Sequence, residues 1–147
     1  MQTPLSQILK VKGESIHQVE PTATIKEAVR VMNTHSIGSL MVHDGTAYVG
    51  IITERDVLSR VIDAGRIPES CHVSEAMTRH PVTVDGETTL GQAMGLMKKY
   101  RFRHLPVTRG ENKEIYGLLS INDLIAWLVE GKESEIEQLV NYISGSY

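Results

Sequence analysis

The sequence has a single cysteine, Cys71, in 147 residues. A lone thiol closes no internal disulfide, so a reducing compartment is the simpler expectation. The six histidines, His17, His35, His43, His72, His80 and His104, include no pair at metal-ligand helical spacing with a matching acid, and no metal site is expected. No apolar stretch approaches the roughly 20 residues that a membrane span needs. Residues 1–10 lack the charged start and apolar run of a signal peptide. These absences point to a cytoplasmic protein with no membrane partner. Charge of one sign is also scarce. A formal net charge of -3 gives no bulk attraction to nucleic acid or to an anionic membrane. The tightest basic group, Lys98, Lys99, Arg101 and Arg103, is local. Glu54 and Asp56 are two apart and do not face each other on a helix, and no nucleophile stands with a base partner. Neither an enzyme nor a catalytic cofactor is expected.

What the chain does contain is a repeat. Thr24-Ile25-Lys26-Glu27-Ala28 recurs as Thr89-Leu90-Gly91-Gln92-Ala93, Met32 as Met97, and Val42 as Val107. Gly50-Ile51-Ile52-Thr53-Glu54-Arg55-Asp56 then recurs as Gly117-Leu118-Leu119-Ser120-Ile121-Asn122-Asp123, two residues further on. The extra pair falls between polar, glycine-containing segments, residues 44–47 against 109–114, where a hairpin turn tolerates insertion. Each half reads α-β-α-β-β-α. A short helix opens it (residues 5–9 or 73–77, with Ser74 a candidate cap), followed by an extended stretch. The next helix carries Ile25, Ala28, Val29 and Met32, or Leu90, Ala93, Met94 and Met97, at helical spacing. Two strands flank the polar turn, and a last helix starts at Thr53 or Ser120.

The expected fold class is α/β, an α+β sandwich. Its two α-β-α-β-β-α repeats would pack sheet to sheet around a shared core with pseudo-twofold symmetry, because neither half alone would bury its sheet. The expected boundaries are 5–65 for the first repeat, 66–72 for a linker, 73–131 for the second repeat and 132–147 for a C-terminal helical tail. In that tail Ile136, Leu139, Val140 and Ile143 share one helical face. Such a stripe docks either on its own domain pair or on a partner subunit.

Each half resembles a cystathionine-β-synthase-type (CBS) domain. The resemblance rests on Thr24-Ile25-Lys26-Glu27-Ala28-Val29, the apolar strand after Ile37-Gly38, Arg103-His104-Leu105-Pro106-Val107, and the Gly-x-x-Thr/Ser-x-x-Asp junction of both halves. It covers residues 5–129, and Ile51-Ile52-Thr53-Glu54-Arg55-Asp56 with the closing segment from Ile136 to Gly145 is similar to small stand-alone bacterial members. The resemblance implies a disc-like homodimer of pairs, with ligand clefts between the halves.

The junctions suit a nucleotide. A helix N-terminus offers unpaired N–H groups and a partial positive charge. Thr53 and Ser120 can donate a hydroxyl to phosphate, and Asp56 and Asp123, one turn on, can accept both hydrogens of a ribose diol. Thr/Ser followed three residues later by Asp is also close to a helix capping box, and both roles can coexist in one site. In related pairs, basic residues at the positions of Arg103 and His104 reach phosphate. The first half has Gly38 and Ser39 there, so the two sites should differ, with Arg55 helping the first. The resemblance also brings in Thr22 from the turn before the second helix. It places the base near backbone groups around Ile37, Gly38 and Leu105. The expectation is a regulatory module for an adenine nucleotide (AMP, ADP or ATP), with NAD or S-adenosylmethionine as alternatives, acting on a separate effector protein. A structural dimerisation module without ligand is the competing reading.

Overall fold

The computed structural model describes residues 1–132, 138–140, 142 and 143. The opening helix, α1 (Leu5–Lys12), buries Leu5, Ile8 and Leu9 on one face and ends at Gly13, whose φ of 102° suits glycine. After β1 (Gln18–Val19) comes α2 (Ile25–His35), then β2 (Ser39–His43) and β3 (Tyr48–Thr53). A short α3 (Glu54–Asp56) runs into a π-helical stretch, Val57–Ile62. Its wide turns show in Asp63 N–H bonding to the Leu58 carbonyl and Arg66 N–H to that of Val61. The second half supplies α4 (Val73–Ala76), β4 (Thr78–Arg79), β5 (Val84–Asp85), α5 (Leu90–Tyr100), β6 (His104–Arg109), β7 (Glu114–Ser120) and α6 (Ile121–Val129).

The amphipathic spacing read from the sequence decides which helix faces are buried. Ile25, Ala28 and Met32 of α2 are in the core, as are Leu90, Ala93 and Met97 of α5. Thr24 and Thr89 start these helices with reciprocal capping boxes through Glu27 and Gln92. Ser74 is not a cap. His72 precedes α4, and its N–H donates to Glu75, which is why that carboxyl lies below the usual range.

Packing divides the chain differently from the repeat. One compact unit joins residues 1–15 to the residues from 82 onward, and the other comprises residues 16–81. Each repeat therefore packs with the opening helix of the other. In the first-named unit, Leu5 and Ser6 N–H donate to the carbonyls of Thr88 and Gly86, and Leu90 N–H donates to Thr3. In the other, Val73 and Ser74 N–H donate to Ala23 and Pro21, and Ile25 N–H to Cys71. These two bond sets occupy equivalent repeat positions. Within residues 66–72, Cys71 is buried in the core of its unit.

Buried apolar residues form one cluster in each unit. Leu5, Ile8, Leu9, Leu90, Leu105, Leu119, Leu124 and Trp127 belong to one. Ile25, Met32, Leu40, Ile52, Val61, Cys71, Val73 and Met77 belong to the other. Each buried Leu or Ile of α1 contributes about 1.5–3 kcal/mol, so the borrowed helix carries real stability.

The sheets are short. In one unit β1 pairs parallel with β2, β2 antiparallel with β3, and β3 antiparallel with β4. In the other, β5 pairs parallel with β6 and β6 antiparallel with β7. The β2–β3 and β6–β7 turns have the same length, residues 44–47 and 110–113, so the insertion expected in the turn instead lengthens the hairpin strands: β6 has 6 residues against 5 in β2, and β7 has 7 against 6 in β3. In the β2–β3 turn, Asp44 accepts bonds from Ala47 N–H and from the N–H and hydroxyl of Thr46, which hold its carboxyl at about 2.

The expected tail helix falls largely outside the described residues, Ile136 included. Residues 138–140, 142 and 143 are helical, and Leu139, Val140 and Ile143 are exposed. Among the described residues no helix is long and apolar enough to cross a membrane.

Candidate functional site at two strand-to-helix junctions

The last residue of β3 is Thr53, and the last of β7 is Ser120. Both keep extended backbone angles while the next residue turns helical, so each is a helix N-cap. Asp56 N–H donates to Thr53 Oγ1 at 3.2 Å, and Thr53 N–H returns a bond to Asp56 Oδ2 at 3.0 Å. Asp123 N–H likewise donates to Ser120 Oγ at 3.2 Å, and Ser120 N–H to Asp123 Oδ2 at 2.7 Å. The Ser120 hydroxyl also lies 3.1 Å from Oδ2. Both motifs are thus capping boxes. In each, the capping bonds to the acid fall on Oδ2. Among the described residues Oδ1 of Asp123 accepts no hydrogen bond, and Oδ1 of Asp56 meets only Arg60 Nε, at 3.8 Å.

The strand before each junction partner is drawn to the same place. Glu54 N–H donates to the Gly38 carbonyl, and Ile121 N–H to that of Arg103. Ser39 stands opposite Thr53 in register, and His104 opposite Ser120. Five of the candidate residues are therefore assembled in one unit: Ser120, Asp123, Arg103, His104 and, by its backbone, Leu105. Thr53, Asp56 and Gly38 are assembled in the other. Arg55 is exposed on the helix start. Leu105 is fully buried, so its side chain belongs to the core and only its backbone faces the pairing strand. Ile37 packs half-buried against its unit's core, and Thr22 is exposed in the turn before α2.

The two junctions differ in charge. Burial pushes the His104 imidazole down to about 4. The cations of Arg103 and Lys12 add to this, and Asp123 opposes it. His104 is thus a neutral donor or acceptor at pH 7, while Arg103 is exposed and charged. At the first junction, by contrast, the Glu54 carboxylate lies over Gly38. A β-carbon there would meet Glu54 Oε1 at 2.9 Å, so any side chain at 38 would displace that carboxylate.

Two residues escaped the sequence reading. Lys12 Nζ, from the last turn of α1, reaches Asp123 Oδ2 at 2.7 Å and also bonds the Leu118 carbonyl. Arg60, in the π-helical stretch, donates to the Ala76 and Met77 carbonyls at 3.3 and 3.0 Å and lies near Asp56. Arg60 follows Asp56 by four residues, a helical ion-pair spacing visible in sequence. Lys12 had no such signal, being 111 residues from its partner.

Comparison with known proteins bears on what these junctions belong to. The family model for the CBS domain matches twice, at residues 12–63 and 73–130. The chain is 36% identical over 154 residues to the CBS domain-containing protein CBSX3, mitochondrial, of Arabidopsis thaliana, covering 99% of this chain and 74% of that protein. A protein with CBS domains from Burkholderia ambifaria MC40-6 superposes with a TM-score of 0.82 at 34% identity, over 87% of this chain and 95% of that one. The CBS domain pair of protein MJ0100, solved with 5′-methylthioadenosine and S-adenosyl-L-methionine, shares the fold with a TM-score of 0.73 at 24% identity, over 90% and 99% of the two chains. The doubled junction, the strand order and these matches together make the chain a tandem pair of CBS domains, a member of the CBS-domain family.

Proposed function

We propose that this CBS pair is a regulatory module that binds an adenine nucleotide and is not a catalyst. The observation that supports this best is the repeated junction, in which a carboxylate uses Oδ2 to cap its helix and keeps Oδ1 for a ligand. A carboxylate held in place by the backbone N–H of its N-cap residue accepts a ribose diol with little reorganisation. The preferred ligands are AMP, ADP and ATP, with NAD and S-adenosylmethionine next. The adenosine-type ligands of the MJ0100 pair favour the same class. The proposed contacts are Thr53, Asp56, Arg55, Ile37 and Gly38 for one site, and Ser120, Asp123, Arg103, His104 and Leu105 for the other, with Thr22, from the turn before α2, a further proposed contact that the family resemblance does not assign to the cleft of its own half. Ligand binding acts on a separate effector protein by favouring one of two states of a homodimer, which requires unequal affinity for the two. Exposed Leu58 and Ile62 after α3, and Ile125 and Val129 on α6, supply apolar surface suited to such an assembly. A cytoplasmic location belongs to the same proposal.

Thermal unfolding with AMP, ADP, ATP, NAD and S-adenosylmethionine tests this. A ligand at a hundredfold excess over its dissociation constant adds about 2.7 kcal/mol of stability. A selective rise in midpoint, lost in Asp56→Asn or Asp123→Asn, is the expected result. No rise with any adenosine compound leaves a purely structural dimerisation module as the better account.

A further inference from the structure

Lys12 stands where the opening helix of one repeat meets the ligand motif of the other. Leu5, Ile8 and Leu9 fix α1 in its unit's core, and Gly13 ends the helix directly after Lys12. The ammonium therefore starts from a rigid base. It bonds the Leu118 carbonyl and Asp123 Oδ2, the oxygen already taken by the capping box. Two of its three N–H groups are used, and Asp123 Oδ1 stays open. A hydroxyl can thus reach Oδ1 without expelling Lys12. At the first junction no lysine among the described residues plays this part. Asp56 has Arg60 at 3.8 Å, and Glu54 stands nearby as a second carboxylate. Named charges at the first junction are Arg55 and Arg60 against Asp56 and Glu54, which cancel. At the second they are Lys12 and Arg103 against Asp123, with His104 neutral, which leaves one positive charge.

We propose that Lys12 is a specificity-determining residue of the Asp123 junction, offsetting the charge of the ribose-binding acid so that this junction prefers ligands carrying more phosphate. The inference rests on the adenine-nucleotide reading above. An uncompensated Asp123 would repel phosphate on the very nucleoside it holds. A neutralised one keeps its acceptor and loses the repulsion. Lys12 is partly exposed, so the effect weakens as salt rises.

Isothermal titration tests this in low salt on an Asp56→Asn background, which silences the first junction while keeping an acceptor for the Thr53 N–H. Adenosine, AMP and ADP are titrated into that protein and into its Lys12→Gln and Lys12→Arg derivatives. Melting curves check that each remains folded. Removing one unit charge several ångströms from phosphate weakens ADP about fivefold more than adenosine. AMP should fall between them, Lys12→Arg should recover most of the loss, and the difference should shrink at high salt. Equal effects of Lys12→Gln on all three ligands, or none, would overturn the role of Lys12 while leaving nucleotide binding intact. Absence of binding by unmodified protein would overturn both.

Discussion

Alanine at Gly117 would put a methyl group 2.6 Å from Leu9 Cδ1 and 2.7 Å from Cδ2. Carbon atoms in ordinary contact stand about 3.5–4.0 Å apart. Leu9 is 1% exposed and lies among other buried side chains, so it has no free space to enter. Overpacking of this kind costs about 1–3 kcal/mol. Gly117 is not in the left-handed region, so alanine regains about 0.4–1 kcal/mol through the unfolded chain. The net expectation for Gly117→Ala is a loss of about 1–2 kcal/mol. Leu9→Ala alone should cost about 2–5 kcal/mol by opening a cavity. In the double variant the new methyl occupies part of that cavity. The two losses should then fall short of additivity by about 1 kcal/mol or more. Urea unfolding of the four proteins, followed by the fluorescence of Trp127, reads the unit concerned, because that residue is the chain's one tryptophan and belongs to the same core cluster. If Gly117→Ala matches the unsubstituted protein, or the cycle closes to within about 0.5 kcal/mol, α1 does not dock on β7 as described.

His104 gives a pH dependence of definite sign. Its folded value of about 4 lies below the usual value near 6.5, so between these the unfolded chain binds a proton that the folded chain refuses. Stability should fall as pH drops from about 6.5 to 4, by up to about 3 kcal/mol, and level off on either side. His104→Gln should flatten that part of the curve, and an imidazole titrating near 6.5 by NMR would refute the burial argument. Asp123→Ala, without ligand, loses the reciprocal half of the Ser120 capping box, worth about 1 kcal/mol, and a partly exposed ion pair worth less than about 1 kcal/mol. Its thermal midpoint should drop by several degrees, with Asp123→Asn intermediate; an unchanged midpoint would mean the capping box contributes nothing to α6.

Much of this molecule is determined locally and is legible in residue order. The 3.6-residue spacing of Ile25, Ala28 and Met32, and of Leu90, Ala93 and Met97, marks two helices and the faces they bury. Thr24 and Thr89 mark where those helices start. Thr53-x-x-Asp56 and Ser120-x-x-Asp123 lie within one helical turn, so their geometry follows from spacing alone. What chain order could not determine is which half each opening helix joins. α1 and α4 are both short apolar segments, and either repeat offers a similar surface. Backbone bonds such as Leu5 to Thr88 and Val73 to Ala23, with glycine-sized gaps at Gly117 and Gly50, decide that each packs with the repeat it does not begin. The same exchange carries Lys12 to Asp123. Such a contact depends on three-dimensional closure rather than on any local preference, and only the tertiary structure could place it.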